Sequence, residues 1–304
     1  MDAETLIRCA DTAMYHAKER GRNGFRFFER DMHARAVERQ WIEAGLRRAL
    51  DRREFVLHYQ AKVALDTGAT TGAEALLRWA HPERGLMHPE EFVAIAEDCG
   101  LIVPIGQWVM REACRQARAW IDAGRTPLPL AVNISASEFS DRQFIERLCS
   151  ALSDSGLDGR HIEIELTESS LIEPGEATVL VLQSLKDMGV QVAIDDFGTG
   201  YSSLSYLRQF PISVLKIDRS FVHEIHAAPS GTSIAGAVIS MGRSLGLRVI
   251  AEGVETAEQH AFLRAAGCAE GQGYYYGPPL PANEFATRQD VAAVCTPPHV
   301  FEKS

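Results

Sequence analysis

The sequence predicts an α/β protein folded as a (β/α)8 TIM-type barrel. Short apolar runs alternate with longer amphipathic stretches, and eight such runs over about 250 residues match the strand number of a closed barrel. No Gly-x-Gly-x-x-Gly pattern follows an early strand, which disfavours an open dinucleotide-binding sheet. Polar residues stand at or just after the strand ends, which is where the active face of a barrel lies.

The elements follow one another along the chain in the order that this fold requires. Eight segments are short and apolar, as strands are: Phe55–Val63, Thr71–Leu77, Leu130–Ile134, Ile162–Leu166, Val190–Ile194, Val214–Ile217, Val249–Ala251 and Gly271–Tyr276. Six segments between them have apolar residues at helical spacing: Glu90–Cys99, Ile105–Ala123, Asp141–Ser153, Ala177–Met188, Thr232–Leu245 and Ala257–Ala265.

The N-terminal part differs in character from the barrel. It predicts a helix over Ala10–Arg20, a turn over Gly21–Gly24, and a short strand over Phe25–Phe28. A charged helix, Asp31–Arg52, then leads into the barrel. We therefore divide the chain into a short N-terminal helical extension at residues 1–30, a linker helix at 31–40, the barrel at 41–290 and a tail at 291–304.

Composition excludes several classes of protein. The chain has 304 residues, with 31 Lys and Arg against 41 Asp and Glu, so its formal charge is −10. This balance argues against a basic groove for a DNA or RNA duplex. Apolar runs such as Leu128–Val132 are far shorter than the roughly 20 residues of a membrane span, and the N-terminus has no secretory pattern. The six cysteines are scattered without zinc-site spacing, so we expect a cytoplasmic protein without zinc.

Acidic residues at the strand ends predict a metal site. The adjacent pair Asp195 and Asp196 repel each other unless a cation lies between them. With Glu74, Glu165 and the amide oxygen of Asn133, the set consists of oxygen ligands only. Such a set suits Mg²⁺ or Mn²⁺ rather than zinc.

Two alternatives compete with that interpretation. Any one of these carboxylates taken alone is better explained as the cap of the following helix. Lys216 has equal claims to be a structural ion-pair partner and to hold a water molecule or a phosphate oxygen. The capping explanation is weaker for the set as a whole, because so many strand ends have such groups.

A series of motifs in a fixed order connects these residues to a known family. The series is Glu74-Ala75-Leu76, Val132-Asn133-Ile134-Ser135, Glu165-Leu166-Thr167-Glu168, Asp195-Asp196-Phe197-Gly198-Thr199-Gly200, Lys216-Ile217-Asp218, Ala251-Glu252-Gly253-Val254-Glu255 and Gln272-Gly273-Tyr274. With these motifs the chain resembles the EAL-domain phosphodiesterases that hydrolyse cyclic di-GMP, over about residues 40 to 290. The resemblance implies a barrel whose first strand is antiparallel to the others, and two Mg²⁺ or Mn²⁺ ions at its mouth.

The resemblance also implies a role for each motif residue. The implied metal ligands are Glu74, Asn133, Glu165, Asp195 and Asp196, with Asp195 bridging the two ions. The residues implied to orient the attacking water are Lys216, Glu252 and Gln272, and either Glu252 or Lys216 receives its proton. Glu168 is implied to steady the loop from Asp195 to Ser203, which abuts a dimer interface in the family. The implied substrate contacts are Gln60, Arg78 and Asp218. The reaction yields the linear dinucleotide 5′-pGpG.

Two departures and one further resemblance complete this picture. Ala61 stands where the family usually has proline, and the loss of that proline frees the backbone beside Gln60. The aromatic run Tyr274–Tyr276 is either a guanine-stacking wall or a packed strand, and we favour packing for Tyr275. The N-terminal segment Ala10–Phe28 resembles the end of a GGDEF domain, which implies that residues 1–30 are the C-terminal remnant of one. The Gly-Gly-Asp-Glu-Phe motif is absent from the sequence, so we expect no cyclase activity.

The resemblance further implies partners and one rival function. We expect a homodimer. We also expect that the chain comes from a longer parent protein with an upstream GGDEF or sensor domain, and a membrane anchor in that parent is consistent with the resemblance. The rival is a catalytically silent EAL domain that only binds cyclic di-GMP. Silent members typically lack metal ligands or the Asp-Asp pair, and this chain has both.

Overall fold

The computed structural model describes residues 30–171, 175–198, 209–226 and 234–289. The N-terminal elements predicted over Ala10–Arg20, Gly21–Gly24 and Phe25–Phe28 therefore lie outside the described residues, as do the 291–304 tail and the loop from Thr199 to Ser203. The charged helix predicted over Asp31–Arg52 is present as Arg30–Arg52. Among the described residues, no helix is both long enough and apolar enough to cross a membrane.

The strands and helices alternate over most of the described chain. The strands are β1 Phe55–Ala64, β2 Thr70–His81, β3 Gly85–Met87, β4 Leu130–Ile134, β5 Ile162–Thr167, β6 Gln191–Phe197, β7 Val214–Ile217, β8 Arg248–Ala251, β9 Glu270–Gly271 and β10 Leu280–Pro281. The α-helices are α1 Arg30–Arg52, α2 Pro89–Asp98, α3 Ile102–Asp122, α4 Ala136–Phe139, α5 Phe144–Ser155, α6 Glu176–Asp187, α7 Arg219–His223, α8 Ile234–Ser244, α9 Ala257–Ala265 and α10 Ala282–Gln289. Short 3-10 helices occupy Gly159–His161, Glu168–Leu171 and Glu224–His226.

Contacts divide the chain into two compact units. The first comprises residues up to Phe55 together with Trp79–Leu101, and so contains α1, β3, α2 and the end of β2. Its core is the fully buried Trp79, whose ring packs against Trp41 and Phe92 and whose indole nitrogen donates to Glu54 Oε2 at 2.9 Å. The Arg84 guanidinium stacks on the Trp41 ring at 3.8 Å.

The second unit, Val56–Arg78 with Ile102–Ser304, contains the barrel. The six strands from β4 to β9 form five consecutive parallel pairs, and β2 pairs in parallel with β4. Strand β1 closes the ring by pairing with both β9 and β2. The β1–β9 pairing is antiparallel. The predicted eight-stranded barrel with an antiparallel first strand is therefore confirmed.

One strand prediction was too long. Gly271–Tyr276 was expected to be a strand, but β9 ends at Gly271. At Gly273 the φ angle is +153°, and Val254 exchanges two backbone hydrogen bonds with this segment, donating to the Gln272 carbonyl at 3.0 Å and accepting from Tyr275 N at 2.9 Å. A turn, closed by Tyr276 N to the Gly273 carbonyl at 3.1 Å, thus replaces the aromatic end of the strand.

Candidate active site

The carboxyl ends of the parallel strands bring the motif residues together. Strand register pairs Asn133 of β4 with Glu165 of β5, and Thr167 at the end of β5 with Asp195 of β6. Because parallel strands end at the same rim of a barrel, residues far apart in sequence become neighbours there. The Ser135 hydroxyl caps α4 in a reciprocal pair with Glu138, which fixes the chain two residues after Asn133.

A backbone irregularity allows both adjacent aspartates to belong to one site. Neighbouring residues on a regular strand point to opposite faces. The register between β6 and β7 shifts between Ile194 and Phe197, and Asp196 has a left-handed φ of +52°. Asp195, Asp196 and Glu252 consequently each offer an oxygen, and these oxygens all lie within 4.8 Å of one another. Strain at a non-glycine residue of this kind is typical of functional sites.

Lys216 lies at the centre of the acidic residues and is fully buried. Its Nζ is 2.5 Å from Glu252 Oε1, 2.6 Å from Glu165 Oε2 and 2.9 Å from Asp195 Oδ2, and Glu74 Oε2 lies at 3.9 Å. Burial alone would lower the pKa of Lys216, but these carboxylates raise it well above its ordinary value. The ammonium is therefore protonated in this arrangement.

Glu74 is connected to the amides at the mouth. Asn133 Nδ2 donates to Glu74 Oε1 at 2.6 Å, and Gln272 Nε2 donates to Glu74 Oε2 at 2.5 Å. Gln272 Nε2 also lies 3.0 Å from Gln60 Oε1, while Gln60 Nε2 donates to the Gly277 carbonyl at 3.0 Å. Because the Asn133 amide nitrogen is used in this way, its carbonyl oxygen is the atom left for a cation.

Three carboxyl groups of the site have raised pKa values. Burial, followed by repulsion from Asp195 and Asp218, raises the pKa of Asp196 to about 6. Burial likewise raises the pKa of Glu74, and it raises that of Glu252 well above its usual range despite the opposing Lys216. These shifts come from burial first, and repulsion between neighbouring carboxylates adds to it.

Glu165 is the exception among these carboxylates. Burial tends to raise its pKa, but Lys216 and then Lys62 overcome that effect and lower it to about 2. Lys62 Nζ donates to Glu165 Oε1 at 2.7 Å. Lys62 is not among the residues predicted from the sequence, where its one signal is its place two residues after Gln60, on the same face of an apolar strand.

The remaining predicted residues surround this cluster. Glu168, in the 3-10 helix after β5, accepts from Gly198 N at 3.0 Å, which connects it to the start of the loop after β6. Asp218 caps α7 by accepting from Ser220 N at 2.9 Å and faces Asp196. Arg78 is buried on β2, four residues beyond Glu74 and on the same strand face, and its Nη1 donates to the Leu77 carbonyl at 2.8 Å.

The donor set fits hard divalent cations. The predicted set of Glu74, Glu165, Asp195, Asp196 and Asn133 consists of carboxylate oxygens with one amide oxygen, and burial raises the pKa of two of its carboxyl groups, those of Glu74 and Asp196. Oxygen ligands of this kind suit Mg²⁺ and Mn²⁺.

Comparison with known proteins identifies the family. The EAL domain model matches residues 43–279, which is most of the chain. The chain belongs to the EAL domain family. Two similar curated proteins are the bifunctional diguanylate cyclase/cyclic di-GMP phosphodiesterase MucR of Pseudomonas aeruginosa and the cyclic di-GMP phosphodiesterase PdeR of Escherichia coli. MucR is 47% identical over 279 residues, and PdeR is 45% identical over 284 residues. The predicted family is thus confirmed.

The matches differ in how much of each relative they cover. The alignments include 92% of this chain and 41% of MucR, and 93% of this chain and 43% of PdeR. The chain therefore spans about two fifths of the length of these relatives. A solved structure of the P. aeruginosa MucR phosphodiesterase in complex with c-di-GMP has a TM-score of 0.78 at 45% identity, covering 81% of this chain and 99% of that one.

Proposed function

We propose that this chain is a metal-dependent phosphodiesterase that hydrolyses cyclic di-GMP to linear 5′-pGpG. The observation that carries the proposal is the convergence of Asp195, Asp196 and Glu252 within 4.8 Å, beside Lys216 and Glu74. The names of MucR and PdeR, and the c-di-GMP in the related MucR structure, support the choice of substrate. The motif series supports the same choice.

The oxygen ligands would hold two Mg²⁺ or Mn²⁺ ions. The proposed ligands are Glu74, Asn133, Glu165, Asp195 and Asp196. When bound, the ions supply positive charge for the anionic phosphodiester and acidify a water molecule. The chain's own contribution is to hold these oxygens on rigid strand ends, where the ligand geometry is set before the substrate arrives.

Side chains that are not ligands would handle the water and its proton. Water attacks phosphorus and the bond from phosphorus to the 3′ oxygen breaks. The water proton passes to a nearby base, and the departing 3′ oxygen takes up a proton to become a hydroxyl. A carboxylate can accept a proton whereas an ammonium cannot, so Glu252 is the acceptor in this proposal and Lys216 orients it. Lys216 holds Glu252 Oε1 at 2.5 Å, and Gln272 turns its amide towards Glu74 and the mouth.

The remaining groups would bind and orient the substrate. Gln60, Arg78 and Asp218 contact the nucleotide in this proposal, and Glu168 steadies the loop after β6 through Gly198 N. The proposal also includes a homodimer, an upstream GGDEF or sensor domain in the parent protein, and a cytoplasmic location for this domain.

The test is chromatography of cyclic di-GMP incubated with the purified chain in Mg²⁺ or Mn²⁺, with EDTA as the metal-free control. We expect 5′-pGpG only when metal is present, and no product from Glu74→Gln. Glu146→Gln is a matched control because Glu146 is an exposed glutamate on α5, and it should retain wild-type turnover. If cyclic di-GMP binds but is not hydrolysed with either metal, the chain is a receptor for the nucleotide and not a phosphodiesterase.

A further inference from the structure

A second buried lysine lies beneath the site. Lys62, on the antiparallel β1, is 3% exposed, and its Nζ contacts Glu163 Oε1 at 2.5 Å and Glu165 Oε1 at 2.7 Å. Both glutamates belong to β5 and are two residues apart, so they point to the same face of the strand. Two buried carboxylates in that arrangement repel each other unless a cation lies between them.

The two lysines hold Glu165 from opposite sides. Lys62 binds its Oε1, whereas Lys216 binds its Oε2 at 2.6 Å. The terminal torsion of a glutamate is intrinsically loose, but a carboxylate held at both oxygens has one fixed orientation. Lys216 uses that fixed oxygen as one of the contacts that place it against Asp195 and Glu252.

We propose that Lys62 is a positioning residue of the active site, which fixes the Glu165 carboxylate and, through it, the Lys216 ammonium. This inference rests on the proposed function for the effect on turnover, but its structural content does not. Lys62 acts from behind the ligand set, as groups that orient metal ligands do.

The competing explanation is that Lys62 only neutralises Glu163, and the structure offers a matched control for it. Arg248 also binds Glu163, with Nη2 2.5 Å from Oε2, and it contacts Glu270 and Gln191 as well. Lys62 and Arg248 thus share Glu163, but it is Lys62 that reaches the site through Glu165.

The experiment compares Lys62→Met, Arg248→Gln and the double variant Lys62→Met/Glu163→Gln. For each we would measure the melting temperature, the Mn²⁺ affinity of the metal-stripped protein by calorimetry, and kcat and KM for cyclic di-GMP. A crystal structure of Lys62→Met, or of the double variant if the single one does not fold, reports the position of Glu165 directly.

We expect Lys62→Met to lower Mn²⁺ affinity and kcat about 10–100-fold, as the loss of a group orienting a metal ligand does, with KM little changed. Arg248→Gln should lower the melting temperature and leave Mn²⁺ affinity and kcat at wild-type values. The double variant should regain the melting temperature lost by Lys62→Met, because the unpaired Glu163 charge is gone. Its Mn²⁺ affinity and kcat should stay low.

Several outcomes would overturn the inference. A double variant that regains both Mn²⁺ affinity and kcat would show that Lys62 only neutralises Glu163. A Glu165 carboxylate in its wild-type position in the variant crystal would do the same. If the wild-type chain binds Mn²⁺ but leaves cyclic di-GMP intact, the proposed function fails, and Mn²⁺ affinity still decides the role of Lys62. If it binds no Mn²⁺, the crystal structure decides.

Discussion

The Lys216 ammonium is expected to stabilise the barrel as well as the site. It is fully buried and in contact with Glu165, Asp195 and Glu252 at 2.5–2.9 Å, so Lys216→Met leaves these carboxylates without their shared cation. Removing one partner of a buried ion pair costs about 3–5 kcal/mol. For a domain of this size that corresponds to a melting temperature lower by about 6–20 °C.

The assay is thermal unfolding in EDTA and in Mn²⁺. In EDTA we expect Lys216→Met to show the full decrease in melting temperature. In Mn²⁺ we expect a smaller decrease, because a bound cation replaces part of the missing positive charge. The difference in melting temperature should also shrink as the pH falls towards 2, because Glu165, whose pKa Lys216 helps to lower to about 2, is then protonated in both proteins and needs no counter-ion. Lys186→Met is the matched control, since Lys186 is an exposed lysine on α6 whose removal should leave the melting temperature unchanged.

One result would refute this reasoning. If Lys216→Met and Lys186→Met melt at the same temperature in EDTA, the buried carboxylates do not depend on Lys216. In that case the role of Lys216 would be confined to the reaction.

Three further perturbations test separate parts of the site. In EDTA, Asp196→Asn should melt at a higher temperature than wild type at about pH 8 and at the same temperature near pH 4. The pKa of Asp196 is raised to about 6, so its ionised form destabilises the fold, and protonation on acidification removes this effect. A difference in melting temperature that does not depend on pH would contradict that cause. Glu168→Ala, which removes the acceptor of Gly198 N, should reduce Mn²⁺ affinity and turnover about 10–100-fold, whereas unchanged values in calorimetry and kinetics would exclude the loop-steadying role. Gly273→Ala should destabilise the barrel by more than about 1 kcal/mol in urea unfolding, because its Cβ would lie 2.2 Å from the Val254 carbonyl oxygen; wild-type stability would show that this turn relaxes freely.

Much of the barrel follows from local sequence patterns. The bounds of β4 and β7 agree with the predictions Leu130–Ile134 and Val214–Ile217, because both are short apolar runs between clear turn signals. The predicted end of the last barrel strand was wrong because the aromatic residues at 274–276 have high strand propensity. That propensity is overridden by Val254, whose backbone pairs with the turn from another part of the chain.

The charged interior of the barrel was less predictable than its mouth. The motif residues follow strand ends, so their convergence can be expected from parallel topology alone. Lys62 and Glu163 stand inside strands, where a single charged residue normally indicates a solvent-facing position. Their burial depends on pairing across 101 residues, between β1 and β5, and no local pattern encodes that partnership.

The inward-facing residues of β1 contribute to a charged barrel interior. A barrel interior is normally filled by layers of branched apolar side chains. Here β1 runs against its neighbours, and its inward residues pass from Gln60 at the mouth to Lys62 below the site. Five carboxylates at the mouth, those of Glu74, Glu165, Asp195, Asp196 and Glu252, share two lysines, Lys62 and Lys216. That excess of negative charge would repel the phosphodiester proposed as substrate, so we expect the affinity for metal ions and the affinity for cyclic di-GMP to be coupled in this site.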